Sequence, residues 1–292
     1  MTPFKYITAL LLTAACTTTI FSNAQNQPMS NASAETLKPA QSGYAPVNGL
    51  KLYYEIYGSG QPLVLIHGGG STIGTTFGRI IPYLAKHHKL IAMELQAHGH
   101  TADRDTPETF EQDAHDVAAL LKYLNVPKAD IMGFSNGGQT AMQIGISHPD
   151  IVDKLIIISS FYRKDGAYPW LWENMPRATL DNMPAPLKKA YLAINNSQTG
   201  LLAMFNRDCQ RMLHFKDWAD EDIRSIQAST LILIGNEDVT QPEHAVAMSR
   251  LLPKGKVVIL PGGHGQCLGE VMYDNPGNWP SITAGIVEDF LK

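Results

Sequence analysis

Six stretches of this chain, "PLVLIHGGG" (62–70), "KLIAMEL" (89–95), "ADIMGFS" (129–135), "KLIIISS" (154–160), "STLILIGNED" (229–238) and "KVVILPGG" (256–263), are nearly continuous apolar runs of strand length. A strand with one face in water alternates polar and apolar residues, so runs without alternation predict strands covered on both faces. The covering material lies between them. "FGRIIPYLAKH" (77–87), "FEQDAHDVAALLKYLNV" (110–126), "GGQTAMQIGISH" (137–148), "PEHAVAMSRLL" (242–252) and "PSITAGIVEDFLK" (280–292) have helical periodicity, and Val117, Leu120, Leu121 and Leu124 form one apolar stripe at i, i+3, i+4 and i+7. Strand and helix alternating in this way predict an α/β fold: a mostly parallel central sheet with helices on both faces and functional loops at the strands' carboxyl ends. "LKLYYEIYG" (50–58) alternates with period two and is expected to be an antiparallel hairpin strand at the sheet edge.

One interval interrupts the rhythm. From 161 to 226 there is no convincing strand, but there are four prolines (Pro169, Pro176, Pro184, Pro186), short helical patterns and a concentration of Trp, Tyr, Phe and Met. This predicts a helical insertion whose apolar residues mostly form its own core, with some roofing a pocket at the strand ends. The α/β core is then expected over 43–160 and 227–292. At the other end, Lys5 precedes "ITALLLTAAC", too short to cross a bilayer, and Ser22-Asn23-Ala24 offers the small residues that a signal peptidase reads. Residues 1–24 are therefore expected to be an export signal, placing the chain in the periplasm or outside the cell, with "LTAAC" and lipidated Cys16 as the alternative. Residues 25–42, polar and without periodicity, are expected to be a leader with no chemistry. Cys209 and Cys267 would remain, either bridged or separate. A net charge of −4 offers no electrostatic footprint for nucleic acid, and composition is neutral on oligomeric state.

The chemistry is concentrated at four strand ends. Gly133-Phe134-Ser135-Asn136-Gly137 has the form G-x-S-x-G between a buried strand and a helix, the context in which a tight turn lifts a nucleophilic hydroxyl above the sheet. A Cβ at 133 or 137 would clash in such a turn, which is a mechanical reason for both glycines. A serine hydroxyl needs a base, and the base an orienting acid. His264 in "PGGHGQ" follows the last apolar run and Asp238 in "GNEDVTQPEHA" the one before it; Glu237 is an alternative acid and Asp165 a weaker one. "HGGG" (67–70) follows the first of the six runs, where backbone N–H groups can receive the negative charge of an acyl-transfer transition state. Gly69 and Asn136 are the expected donors, Asn136 through its main chain, which leaves its side chain free. His87, His88, His98, His100, His115 and His148 are expected at the surface or at helix ends. The "HGH" of 98–100 lacks a carboxylate or cysteine at ligand spacing, so no metal is expected, and no cofactor is needed.

Jointly, "HGGG", "ELQAHGHT" (94–101), "GFSNGG" (133–138), "GNEDVTQPEHA" (235–245) and "PGGHG" (261–265) make residues 43–292 resemble the α/β-hydrolase superfamily. The resemblance implies a Ser-His-Asp hydrolase with a lid inserted after the sixth strand. Glu94 and Ala97 stand where many relatives have aspartate and glycine. Ser135 argues against the dehalogenase and epoxide hydrolase branches, which carry aspartate there, and the segment before "HGGG" is too short for the N-terminal cap of hormone-sensitive-lipase-like members. For a substrate, the apolar insertion suggests a small molecule, first of all a carboxylic ester. Arg163, Arg177, Arg207 and Arg211 in the insertion raise the alternative of an anionic substrate, as in relatives that open enol-lactones or cleave carbon–carbon bonds of dienoates. A non-catalytic ligand-binding member of the fold is a third, lesser reading.

Overall fold

Asn48 and Gly49 both take positive φ (45° and 83°), the pair of conformations that lets a two-residue turn match the twist of the strands it joins. They fold β1 (Gln41–Val47) back on β2 (Leu50–Tyr57), in register from Val47 opposite Leu50 to Gln41 opposite Ile56. In this computed structural model, which describes residues 37–292, six further strands complete the sheet: β3 (Gln61–Ile66), β4 (His88–Met93), β5 (Ala129–Phe134), β6 (Val152–Ile158), β7 (Ser229–Glu237) and β8 (Gly255–Gly263). The strand order is β1-β2-β4-β3-β5-β6-β7-β8, antiparallel up to the β2–β4 pairing and parallel from β4 to β8. The six apolar runs are thus the parallel part of the sheet. β2 is a hairpin strand as expected but lies inside the sheet; the edge is β1, which begins at Gln41 within the stretch read as leader. Residues 1–36, which include the expected export signal of 1–24, Cys16 and most of the expected leader, lie outside the described residues.

The helices follow the same logic. α1 (Ile73–Phe77) and α2 (Ile81–Leu84) connect β3 to β4, α3 (Phe110–Tyr123) leads to β5 and α4 (Asn136–Ser147) to β6. The inserted segment holds α5 (Pro169–Asn174), α6 (Ala185–Ile194), α7 (Gln198–Leu213) and α8 (Asp220–Ser225); α9 (Pro242–Leu251) joins β7 to β8 and α10 (Trp279–Leu291) ends the chain. "FGRIIPYLAKH", read as one helix, is broken because Pro82 has no N–H to donate and its ring would meet the carbonyl four residues earlier; it fits only in a first turn, and α2 restarts there. Thr109 caps α3, its hydroxyl accepting from the Gln112 amide at 3.1 Å. Val117, Leu120 and Leu121 are fully buried and share one apolar layer with α4 and α9, while α1, α2 and α10 supply Phe77, Leu84 and Val287 to the layer on the opposite face.

The apolar residues of the inserted segment gather in two small clusters, each completed by one residue of the body. Met183, Tyr191, Leu201 and Met204 pack with Ala97 of the β4–α3 connection, and Phe161, Met212 and Phe215 pack with Phe110 of α3. Phe215 makes an edge contact with Phe110 at 6.2 Å and stacks on Trp172 at 6.0 Å. Cys209 and Cys267 are both free, and no helix among the described residues is long and apolar enough to cross a membrane.

Candidate active site

Ser135 sits between the end of β5 and the start of α4 with φ 54° and ψ −121°, a conformation that costs a non-glycine residue about 1–3 kcal/mol. The backbones around it are in contact. A Cβ on Gly133 would lie 2.0 Å from the Gly137 carbonyl oxygen, and one on Gly137 would lie 2.2 Å from that of Ile66. With both side chains absent, α4 packs against the end of β3, and the Ser135 hydroxyl is carried beyond the sheet, partly open to solvent.

Asp238 follows β7, and His264 follows β8 in a loop where Gly262 and Gly265 take φ of 117° and 78°. The three side chains meet. His264 Nδ1 donates to Asp238 Oδ1 at 2.7 Å, and Ser135 Oγ donates to His264 Nε2 at 3.0 Å. Asp238 is buried, with Oδ2 accepting from Ser159 Oγ at 2.6 Å and Oδ1 from the Val239 amide at 2.7 Å. Desolvation opposes its charge, yet the charge of His264 and these hydrogen bonds leave its pKa below the ordinary value, so the carboxylate stays ionised. For His264, desolvation likewise opposes the cation, but the charge and hydrogen bond of Asp238 prevail, and its pKa lies above the ordinary value. Glu237, the alternative acid, is exposed, and Asp165 is bound to Arg163 at the surface. Sequence reasoning did not single out Ser159; its positive φ of 54° at the end of β6 is a backbone property without a composition signal.

Opposite the hydroxyl lies the 67–70 loop. A Cβ on Gly68 would lie 3.2 Å from Ser135 Cβ, so the loop runs directly over the serine. Among the described residues the Gly69 amide has no acceptor, and the Asn136 amide, first in α4, has none within its own helix. His67 is fully buried; the Leu95 amide donates to its Nε2 at 3.1 Å and its Nδ1 donates to the Gly68 carbonyl at 2.7 Å. One nitrogen accepts and one donates, so the ring is neutral. Burial first, and the neighbouring His98, push its pKa down to about 3.

This arrangement can deprotonate a hydroxyl and hold an oxyanion, and comparison with known proteins is consistent with that. Residues 61–201 match the α/β-hydrolase fold family. The chain is 26% identical over 290 residues to the 2-hydroxy-6-oxo-2,4-heptadienoate hydrolase of Pseudomonas putida, a match covering 90% of this chain and 99% of that one. It is 30% identical over 139 residues to the 2-hydroxy-6-oxo-6-(2'-aminophenyl)hexa-2,4-dienoic acid hydrolase of Metapseudomonas resinovorans, covering 45% of this chain and about half (48%) of that enzyme. The crystal structure of a serine hydrolase involved in carbazole degradation superposes with a TM-score of 0.70 at 25% identity, covering 86% of this chain and 98% of that one. The chain has the α/β-hydrolase fold.

Two parts of the site were not legible in the sequence. In "ELQAHGHT", Glu94 accepts from both the amide and the Nδ1 of His100, at 2.6 and 2.8 Å, and Ala97 occupies a left-handed position (φ 65°) where glycine would be unstrained. The second is a buried charge network. Arg211 of α7, read as a candidate for holding an anionic substrate, is buried and reaches Asp208 (2.6 Å), Asp113 (2.8 Å) and Glu108 (3.1 Å). His98, read as a surface residue, is fully buried and donates from Nδ1 to the Gln96 carbonyl at 2.8 Å and from Nε2 to Asp208 at 3.0 Å. Both partners are acceptors only, so both ring nitrogens carry protons. Desolvation opposes the charge, but Asp208 and Glu108 push its pKa up to about 9. Burial pushes Glu108 up to about 8 and Asp113 to about 6, against the attraction of Arg211. A signal existed in the sequence: Asp208 and Arg211 recur at helical spacing with Leu201 and Met204 on the buried face of α7, where charges are out of place unless paired.

The tightness of the turn can be tested. Gly137→Ala would bring a methyl group into the Ile66 carbonyl and is expected to destabilise the protein by about 3 kcal/mol in urea unfolding. Unchanged stability would mean that β3 and α4 are not in contact there.

Proposed function

We propose that this chain is a serine hydrolase in which Ser135 is the nucleophile, His264 the general base and Asp238 the residue that orients and electrostatically supports the imidazole. The observation that carries the reading is the unbroken path Asp238–His264–Ser135, at 2.7 and 3.0 Å. As Ser135 Oγ adds to a carbonyl carbon, its proton passes to His264 Nε2 and the π electron pair moves to the carbonyl oxygen, facing the Gly69 and Asn136 N–H groups. Collapse of this adduct expels the leaving group, which takes the proton from His264. Water, activated by the same imidazole, then releases the acyl group and restores the serine.

For the substrate we propose the class named in the relatives, an unsaturated keto acid of the 2-hydroxy-6-oxo-dienoate type, with an enol-lactone as the related alternative. The full-length match to the heptadienoate hydrolase supports this over the plain carboxylic ester first expected. On the keto tautomer of such an acid, the bond broken joins the attacked carbonyl carbon to its neighbour. The electron pair leaves as an enolate conjugated with the 2-oxo group and is protonated from His264. A single structural observation favours a neutral ester as the second reading. The arginines available to hold a substrate carboxylate are largely committed: Arg163 to Asp165 and Asp220, Arg207 to Asp103, and Arg211 to three acids. Arg177 has no acidic partner among the described residues.

Ser135→Ala is expected to lower turnover about a million-fold, the scale seen when a triad nucleophile is removed. Turnover within tenfold of native would exclude Ser135 as nucleophile. Because His264 must be neutral to accept the proton and its pKa is raised, kcat/KM is expected to fall on acidification with a midpoint above the ordinary histidine value of about 6.5. A midpoint below that value, or a flat profile from pH 5 to 8, would count against His264 as base. The substrate classes separate on a panel of neutral p-nitrophenyl esters, an enol-lactone and a 6-oxo-dienoate. A higher kcat/KM on the dienoate, reduced by Arg177→Ala through KM, is the expected result; a preference for neutral esters unaffected by that substitution would select the ester reading.

A further inference from the structure

The Gly69 amide can stabilise charge only if it points in one direction, and glycine, lacking a Cβ, has the least intrinsic reason to do so. What fixes it is visible on either side. The peptide before Gly69 is held through its carbonyl, which accepts from His67 Nδ1 at 2.7 Å and from the Ser71 amide at 3.3 Å. The peptide after Gly69 is held through the Gly70 amide, which donates to Asp208 Oδ2 at 2.6 Å. Asp208 Oδ1 also accepts from the Asn136 side-chain amide at 3.4 Å. On the third side, a Cβ built on Gly69 would meet Asn136 Nδ2 at 2.7 Å and Asp208 Oδ1 at 3.1 Å. One carboxylate therefore backs both residues proposed as oxyanion donors, and it comes from α7, in the inserted segment.

We propose that Asp208 is a positioning residue that sets the oxyanion hole, holding the Gly69–Gly70 peptide and Asn136 in mutual register from the inserted helix. This rests on the serine hydrolase reading and extends it to the segment above the site. A lone carboxylate behind an oxyanion would repel it, so its charge must be offset. The protonated His98 and Arg211 do this, at 3.0 and 2.6 Å from Asp208. His98 and Arg211 have a corresponding role: they make a negatively charged anchor compatible with chemistry that develops negative charge nearby.

The test is Asp208→Asn, which preserves shape but replaces an acceptor oxygen with an NH2 facing the Gly70 amide or the donors of His98 and Arg211. The expected result is a kcat lowered about 30-fold with KM within about threefold of native, since an oxyanion donor acts in the transition state. The second readout is the inhibition constant of an aryl trifluoromethyl ketone. Ser135 Oγ adds to its carbonyl carbon, the proton goes to His264 and the π pair becomes an oxyanion in the hole; its affinity should weaken by the same factor as kcat. Native kcat in the folded variant, or a lowered kcat with native ketone affinity, would overturn the proposal. Should Asp208→Asn fail to fold, the same two numbers are read on Asp208→Glu, which keeps the charge and displaces the carboxylate by one methylene. Ser135→Ala measured alongside separates the two levels: turnover surviving it removes the nucleophile reading, whereas native kcat at position 208 with an inactive Ser135→Ala removes only this inference.

Discussion

The contact of backbone on backbone at the β5–α4 turn is the constraint on which the rest of the structure depends. Two missing Cβ atoms allow Gly137 to touch the Ile66 carbonyl and Gly133 to touch Gly137, and only in that geometry does Ser135 stand clear of the sheet. The turn is strained, so its conformation has to be imposed from outside. Helix α4 supplies the force: every residue from Asn136 to Gly145 is buried, and its packing between the sheet and α3 offsets the unfavourable φ of one serine many times over. His264 and Asp238 then need only follow the ends of β8 and β7, where flanking glycines and a buried hydroxyl place them.

Around this turn the protein solves one electrostatic problem twice. A carboxylate taken out of water is costly unless its oxygens are fully used. Asp238 is satisfied by an imidazole, a hydroxyl and backbone amides, and Asp208 by an imidazole, a guanidinium and a backbone amide. The histidines show the same dependence on partners. His67 and His98, whose rings lie 4.8 Å apart, differ in charge because a backbone amide donates to one while a carbonyl and a carboxylate both accept from the other.

This contrast explains what could be read from the amino-acid order and what could not. Strand runs, the G-x-S-x-G turn and the chain order of Ser135, Asp238 and His264 are local patterns tied to strand ends, so periodicity and spacing reveal them. The β1–β2 hairpin was equally local, since Asn48-Gly49 is its turn signal, but Gln41 and Ser42 were absorbed into a polar leader. Asp208, Arg211, Glu108 and His98 are different. Each is polar and unremarkable in its own segment, and their burial follows from α7 descending onto the 67–70 loop, a contact between residues more than a hundred positions apart. Only the misfit of two charges in the apolar stripe of α7 carried any trace of it.

The network also divides the inserted segment into unlike parts. Pulling α7 away would expose the apolar contacts of Leu201, Met204 and Met212 and take Arg211 and Asp208 from Glu108, Asp113 and His98, which would stay behind in a dry setting, a combination worth several kcal/mol. The stretch before it is held far less firmly: α5 has no buried residue, α6 has only Tyr191, and Trp170 stands exposed. Met183 and Leu187, from that weaker part, lie against the open face of Gly70, whose missing Cβ would meet them at 3.1 and 3.7 Å. Stability of this kind is unevenly distributed, and openings follow the less buried elements. The anchored helix therefore belongs with the body that carries Ser135, and α5 and α6 are the less firmly held part of the inserted segment.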